Sequence, residues 1–175
     1  MNTYIALFRG INVGGTGILP MKDLTAILES LGCAEVKTYI QSGNVVFKRK
    51  QIHADKFAKE ISDKVLESRG FAPKVLLLEI SELEKAIKNN PFNTDGGKSL
   101  HFFFLEAKPT NPDMAKIESV KGNSEKYKLT ETVFYLYAPD GVGRSKLAAI
   151  VEKCLGVPAT ARNWNTVSKL ISMVK

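Results

Sequence analysis

Residues 36–48, VKTYIQSGNVVFK, contain two runs of β-favouring residues on either side of the polar triplet Ser42-Gly43-Asn44. Such runs around a glycine-containing turn predict a β-hairpin. A helical spacing of apolar residues precedes the hairpin, from about Met21 to Gly32, and another follows it and ends near Gly70. Two helices separated by a hairpin form the central part of a βαββαβ unit, the ferredoxin-like arrangement.

Strand character over residues 3–9 and 73–80 completes this unit, and the same order of elements follows in the second half of the chain. The sequence therefore predicts an α+β fold of two tandem ferredoxin-like (βαββαβ) units with antiparallel sheets. We place the first unit at residues 1–80. The second, at 81–175, adds a short linking helix and a C-terminal helix, and we expect the two small units to pack together.

Several helix starts can be predicted from the sequence. Ser81-Glu82-Leu83-Glu84 has the pattern of a capping box. Asn111-Pro112 supplies an N-cap followed by a proline at the first helical position. A later helix is expected from about Gly143, and Asn165 or Thr166 is expected to cap the last one.

Composition places the chain of 175 residues among globular proteins, with 44% hydrophobic and 25% charged residues. No apolar run approaches the length of a membrane span, and the N-terminal residues do not resemble a secretory signal, so we expect a cytoplasmic protein without membrane association. Cys33 and Cys154 show no disulfide or zinc spacing and are expected to be buried. The net charge of +7 favours polyanionic partners.

Four polar segments stand out from this framework. Arg9-Gly10-Ile11-Asn12-Val13-Gly14-Gly15 follows a strand, and its glycines allow backbone amides to hold an oxyanion. Gln41-Ser42-Gly43-Asn44 lies at the hairpin turn. Asp140-Gly141-Val142-Gly143-Arg144-Ser145-Lys146 leads into a helix, whose N-terminus suits an anion. Thr160-Ala161-Arg162-Asn163-Trp164-Asn165-Thr166 contains the single tryptophan.

We predict that the four segments converge on one groove between the two units, where arginines supply charge and Trp164 stacks on the ligand. The predicted ligand-binding residues are Arg9, Asn12, Gly14, Gly15, Gln41, Ser42, Asn44, Arg144, Ser145, Lys146, Arg162, Asn163 and Trp164. Each segment also has a purely structural interpretation: a tight loop that needs glycine, an ordinary turn, a helix cap, or a tryptophan that fills an interface.

Other chemistries find little support. His53 and His101 are isolated and expected at the surface or on an edge strand, so neither a metal site nor a histidine base is predicted. No serine-histidine-aspartate arrangement is recognised. The consecutive aromatic residues 102–104 are expected to fill the core, with stacking on RNA bases as the alternative.

The quoted segments, extended to residues 4–15, 38–47, 141–147 and 160–166, closely resemble the signature blocks of a bacterial family known as domain of unknown function 1697. This resemblance implies a fold of two ferredoxin-like units and implies no activity.

The function expected from the sequence is binding of a small phosphate- or carboxylate-bearing ligand, with no cofactor. An enzyme acting on a phosphorylated metabolite by positioning and electrostatics is one alternative. Binding of single-stranded nucleic acid is another. Whether the chain is an enzyme is left open.

Overall fold

The computed structural model describes residues 1–174, which form eight strands and six helices. The elements are, in chain order, β1 Asn2–Arg9, α1 Met21–Ser30, β2 Ala34–Tyr39, β3 Asn44–Arg49, α2 Ala54–Arg69, β4 Lys74–Glu79, α3 Ile80–Lys88, β5 Leu100–Leu105, α4 Met114–Val120, β6 Lys126–Leu129, β7 Val133–Tyr137, α5 Lys146–Leu155, β8 Ala159–Asn163 and α6 Trp164–Val174.

The strands form two separate four-stranded antiparallel sheets, so the fold is mixed α+β. The strand order is β2-β3-β1-β4 in the first sheet and β6-β7-β5-β8 in the second. Each sheet therefore has its first strand in the interior, next to the second strand of the hairpin.

The chain divides into two compact units. Unit 1 comprises Met1–Lys85 together with the C-terminal residues from Lys169 on, and unit 2 comprises Ala86–Ser168. The helices α3 and α6 each contribute residues to both units, because the divisions fall within them.

The core of unit 1 lies between its sheet and the helices α1 and α2. Tyr4, Ala6 and Phe8 point to the same face of β1 because side chains alternate along a strand. Their partners are spaced by one helical turn on two helices: Leu24 and Leu28 on α1, and Ile61 and Val65 on α2.

The core of unit 2 is built in the same way. Phe103 and Leu105 of β5 lie in one apolar cluster with buried residues of the neighbouring strand and of α5, namely Phe134, Leu136, Leu147 and Val151. Both cysteines are buried, Cys33 in the first core and Cys154 in the second, as expected from the sequence. Burial raises the pKa of the Cys33 thiol to about 11.

The starts of α3 and α4 differ from the sequence prediction. The helix α3 begins at Ile80, and the Glu79 amide donates to the Glu82 carboxylate over 2.7 Å, so Glu82 takes the place predicted for Glu84. In α4 the Asp113 carboxylate accepts from the Lys116 amide at 3.0 Å. The N-cap of α4 is therefore Asp113 and not Asn111, and the first helical turn begins two residues later than predicted.

The starts of α5 and α6 were also predicted at the wrong residues. The helix α5 begins at Lys146, after a short 3-10 turn over residues 142–144, and the Ser145 hydroxyl caps it by accepting from the Ala148 amide at 3.0 Å. At α6 the Thr166 amide donates to the Asn163 side chain at 3.0 Å. Asn163 can do this because it is the last residue of β8 and the helix starts at once behind it.

Candidate functional site

The glycine-rich loop of unit 1, residues 10–19, is held by one side chain and is called the Asn12 loop below. The Asn12 amide nitrogen donates to the carbonyls of Leu19 and Gln41, at 2.9 and 2.8 Å, and its oxygen accepts from the Leu19 amide at 2.8 Å. These bonds connect both ends of the loop to the turn of the β2–β3 hairpin. All the hydrogen-bonding groups of this side chain are thus used within the protein.

The tip of the Asn12 loop is a tight two-residue turn. Val13 and Thr16 form a small antiparallel bridge, with N–H···O distances of 3.2 and 3.0 Å. Gly14 and Gly15 lie between them with φ of 58° and 77°, the left-handed conformation that a tight turn of this kind requires at both positions. These two glycines therefore have a structural reason for being glycine.

The hairpin turn is equally engaged with its own backbone. Asn44 is fully buried, and its side-chain nitrogen donates to the Tyr39 carbonyl at 3.0 Å and to the Ser42 hydroxyl at 3.1 Å. The Phe8 amide donates to the Gly43 carbonyl at 2.8 Å. Ile40 adopts a φ of 49°, which is unusual for a β-branched residue, although its side chain is half exposed.

Unit 1 therefore brings seven of the predicted site residues into one region, at the end of β1. Two of them, Asn12 and Asn44, use their side-chain amides on the backbone. Arg9 is exposed as the last residue of β1, opposite Lys74 of β4. The side-chain nitrogens of both asparagines are therefore engaged within the protein.

In unit 2 the third polar segment lines an open cavity of about 510 Å³. This cavity, called the α5 cavity below, lies between the loop that follows α4 and the loop that precedes α5. Its lining residues are Val120, Gly122, Asn123, Ser124, Glu125, Asp140, Gly141, Arg144, Ser145 and Lys146. Three predicted site residues, Arg144, Ser145 and Lys146, are thus found together in the lining of this cavity.

The cations of the α5 cavity are not neutralised by their neighbours. Arg144 and Lys146 are both exposed. Across the described part of the chain, residues 1–174, no carboxylate oxygen lies within 4.0 Å of either cationic group. Two cations in the lining of an open cavity are available to a phosphate or a carboxylate.

The fourth polar segment does not line the α5 cavity. Trp164 is half-buried and packs on Phe102, with the ring centroids 5.9 Å apart. Arg162 donates to the Ala161 carbonyl at 2.9 Å, and burial lowers the pKa of its guanidinium to about 10, so it remains charged at neutral pH. Asn163 caps α6, as described above. Convergence of all four segments on one pocket stays a prediction.

His101 is the polar residue whose position differs most from expectation. It was predicted at the surface or on an edge strand, but it lies on β5, an interior strand, and is only 8% exposed. Its Nδ1 atom is buried without a hydrogen-bond partner among residues 1–174, and burial lowers its pKa. The apolar run that contains it, LHFFFL over residues 100–105, was the signal for a strand buried on both faces.

A second cavity, in unit 1, has a different character. It measures about 370 Å³ and is lined by Tyr4, Ile52, Ala54, Leu77, Leu78, Glu79 and Glu82. Its charged side chains are both acidic, so it is unsuited to an anion. Over residues 1–174, no group of three or more histidine, cysteine, aspartate or glutamate side chains is arranged to hold a metal ion.

None of the six described helices combines the length and the apolarity needed to cross a membrane. The aromatic residues Phe102, Phe103 and Phe104 are all buried, at 0%, 7% and 2% exposure, so they do not form an exposed stacking surface. This agrees with the core role expected for them.

Comparison with known proteins identifies the family. Residues 1–135 match the family model described as protein of unknown function DUF1697, and the chain belongs to this family. A solved structure of a conserved bacterial protein, SP0830 from Streptococcus pneumoniae, is similar over 99% of both chains, with a TM-score of 0.75 and 23% sequence identity. That similarity concerns the fold alone. None of the curated proteins compared with the chain matches it.

Proposed function

We propose that this member of the DUF1697 family binds a small phosphate- or carboxylate-bearing ligand, and that Arg144, Ser145 and Lys146 of the α5 cavity are part of its site. The observation that carries the proposal is the pair of exposed cations without a carboxylate within 4.0 Å, on the wall of a cavity of about 510 Å³. Small-molecule sites typically have volumes in this range.

The side chains, rather than the helix end, provide the main attraction in this proposal. The Ser145 hydroxyl already accepts from the Ala148 amide, so one of the first-turn amides of α5 is satisfied. Arg144 offers a planar fork of donors that matches two oxygens of a carboxylate or phosphate, and Lys146 adds a mobile point charge. In this proposal Arg9 and Arg162 supply further positive charge, whereas the side-chain amides of Asn12 and Asn44 bind the backbone.

We further infer that each unit is a ferredoxin-like fold. The support is the order of elements, β-α-β-β-α-β in both halves, and the strand order, in which the fourth strand and the third flank the first. A cytoplasmic location remains our proposal, supported by two buried free cysteines.

Titration of the full chain with inorganic phosphate and with citrate, followed by NMR chemical shifts at low salt, tests the proposed site. We expect the largest shifts at the amides of residues 140–148. Arg144→Gln is expected to weaken binding about tenfold or more, the usual value of a hydrogen bond to a charged group. Added salt weakens an exposed charge interaction further.

Lys153→Gln is the matched control, since Lys153 is an exposed cation on α5 that does not line the cavity. If Arg144→Gln and Lys146→Gln bind both anions as well as the unchanged chain does, the proposal is wrong. Tight binding of a single-stranded oligonucleotide with a steep salt dependence, unaffected by Arg144→Gln, would favour the nucleic-acid alternative instead.

A further inference from the structure

The α5 cavity contains charges of both signs. Arg144 and Lys146 are accompanied in its lining by the carboxylates of Glu125 and Asp140, so the formal charges balance. Among residues 1–174, no cation–carboxylate pair within 4.0 Å joins these four residues. The cavity thus presents a positive and a negative group that do not neutralise each other by direct contact.

Of the two carboxylates, Asp140 is the one placed to meet a ligand. Glu125 is only 9% exposed, and its Oε1 atom accepts from the Gly122 amide at 2.7 Å, which makes it a brace of the loop after α4. Asp140 is exposed, and one of its oxygens accepts from the Ser124 hydroxyl at 2.6 Å. Ser124 therefore orients this carboxylate, and its second oxygen accepts no hydrogen bond from residues 1–174.

We propose that the ligand of the α5 cavity is a zwitterion of the amino-acid or short-peptide class, whose carboxylate meets Arg144 and Lys146 while its ammonium meets Asp140. This inference rests on the proposed function and narrows it. A ligand with only negative charge gives the Asp140 carboxylate no cationic partner and is repelled by it. A ligand with both charges gives each group of the cavity a partner of opposite sign.

The sharpest test uses two probes that differ in one charge. Glycylglycine carries a carboxylate and an ammonium group at pH 6.5, whereas N-acetylglycylglycine keeps the carboxylate and lacks the ammonium. We expect glycylglycine to bind the full chain at least tenfold more tightly, as measured by NMR titration. In Asp140→Asn, a change of nearly equal shape that keeps a side-chain oxygen for Ser124, we expect the ratio of the two dissociation constants to fall close to one.

Two further variants make the outcome decisive. Arg144→Gln is expected to weaken the binding of both peptides by a similar factor, and so to leave the ratio of their dissociation constants unchanged. Ser124→Ala keeps the Asp140 charge but removes the hydrogen bond that orients its carboxylate. It is expected to lower the ratio of dissociation constants by a smaller factor than Asp140→Asn does. Ser124→Ala also takes over the test if Asp140→Asn does not fold.

The failure of this inference is distinguishable from failure of the proposed function. If both peptides bind equally, with an effect of Arg144→Gln but none of Asp140→Asn, the site takes simple anions and the zwitterion assignment is wrong. If neither peptide nor phosphate shifts the amides of residues 140–148, both ideas are overturned.

Discussion

The Asn12 loop of unit 1 and the segment 140–146 of unit 2 both contain several glycines, but only the second contains charged residues, and their polar groups have different partners. In the Asn12 loop the side chain of Asn12 makes three hydrogen bonds to backbone groups, and the turn next to it is braced by Asn44. In segment 140–146 the Ser145 hydroxyl caps α5, while the cations Arg144 and Lys146 line an open cavity.

The difference shows that the polar residues of one glycine-containing segment serve the architecture, while those of another keep binding capacity. An asparagine whose donors and acceptor are all used by the backbone has little left for a ligand. An arginine without a nearby carboxylate keeps its donors available. The two regions therefore differ in the partners of their polar groups as well as in residue type, and the following variants test the difference in partners.

The largest effect is expected at Gly17 in the Asn12 loop. A Cβ atom there would lie 2.5 Å from the Gly10 carbonyl oxygen, and the residue has a φ of 60°. Gly17→Ala should therefore lower the free energy of unfolding by about 3 kcal/mol, from backbone strain and overpacking together. Gly14→Ala, where no atom lies within 4 Å of the added carbon, should cost only about 1 kcal/mol. Urea unfolding measures both, and equal losses would show that the loop tolerates close packing.

Asn12→Ala and Arg144→Gln test the comparison directly. Asn12→Ala removes three hydrogen bonds and places alanine at a φ of 53°, so we expect a loss of about 2 to 3 kcal/mol in the free energy of unfolding. Arg144→Gln should change stability by no more than about 0.5 kcal/mol while weakening anion binding. A destabilising Arg144→Gln would mean that this arginine, too, is a structural brace.

A smaller effect, dependent on pH, is expected in unit 2 from His101. Burial lowers its pKa below the ordinary value of about 6.5, which it regains on unfolding. Above that value both states are neutral and stability does not depend on this group. As the pH falls below it, the unfolded state takes up the proton first, so the free energy of unfolding decreases.

Urea unfolding between pH 7.5 and 5 measures this loss, and His101→Gln should make the pH dependence shallower. An unchanged pH dependence in that variant would assign the effect to other groups. Ligand binding at Arg144 is best compared at pH 6.5 or above, where the protonation of His101 contributes least.

The smallest effect, and the only gain, is expected at Ile40. Its φ of 49° costs about 1 to 2 kcal/mol for a side chain that is 50% exposed. Ile40→Gly removes this strain but adds freedom to the unfolded chain, so the net stabilisation should be below about 1 kcal/mol. Thermal unfolding measures it, and a lower melting temperature would show that Ile40 packs favourably despite its backbone.

The elements of the fold were predictable from the sequence because apolar periodicity marks them. Leu24 and Leu28 share one face of α1, as their helical spacing indicated, and the predicted strand character of residues 3–9 corresponds to β1. The caps were less predictable, since Asn111 and Asp113 are both residue types that cap helices well, and the structure has Asp113 as the cap of α4. The burial of His101 is indicated only by the apolar run over residues 100–105 around it, because an isolated histidine is itself typical of a surface position.

For the candidate site, sequence alone grouped Arg144, Ser145 and Lys146 with Asn12 and Asn44 as equals. Structural residues differ from candidate binding residues in whether their donors bind backbone carbonyls. Such hydrogen bonds join residues as far apart in the sequence as Asn12 and Gln41, so the sequence does not reveal them. Asp140 and Ser124, sixteen positions apart, were not predicted as a pair for the same reason.

The burial of both thiols has a practical consequence. With Cys33 and Cys154 each 7% exposed, and with the thiolate of Cys33 disfavoured by its surroundings, neither sulfur is readily accessible to a maleimide dye under native conditions. A cysteine introduced by Asn123→Cys, at an exposed residue that lines the α5 cavity, would then carry a fluorophore selectively, without removal of the native thiols. The fluorescence of that single label would then report the binding of a ligand in the α5 cavity.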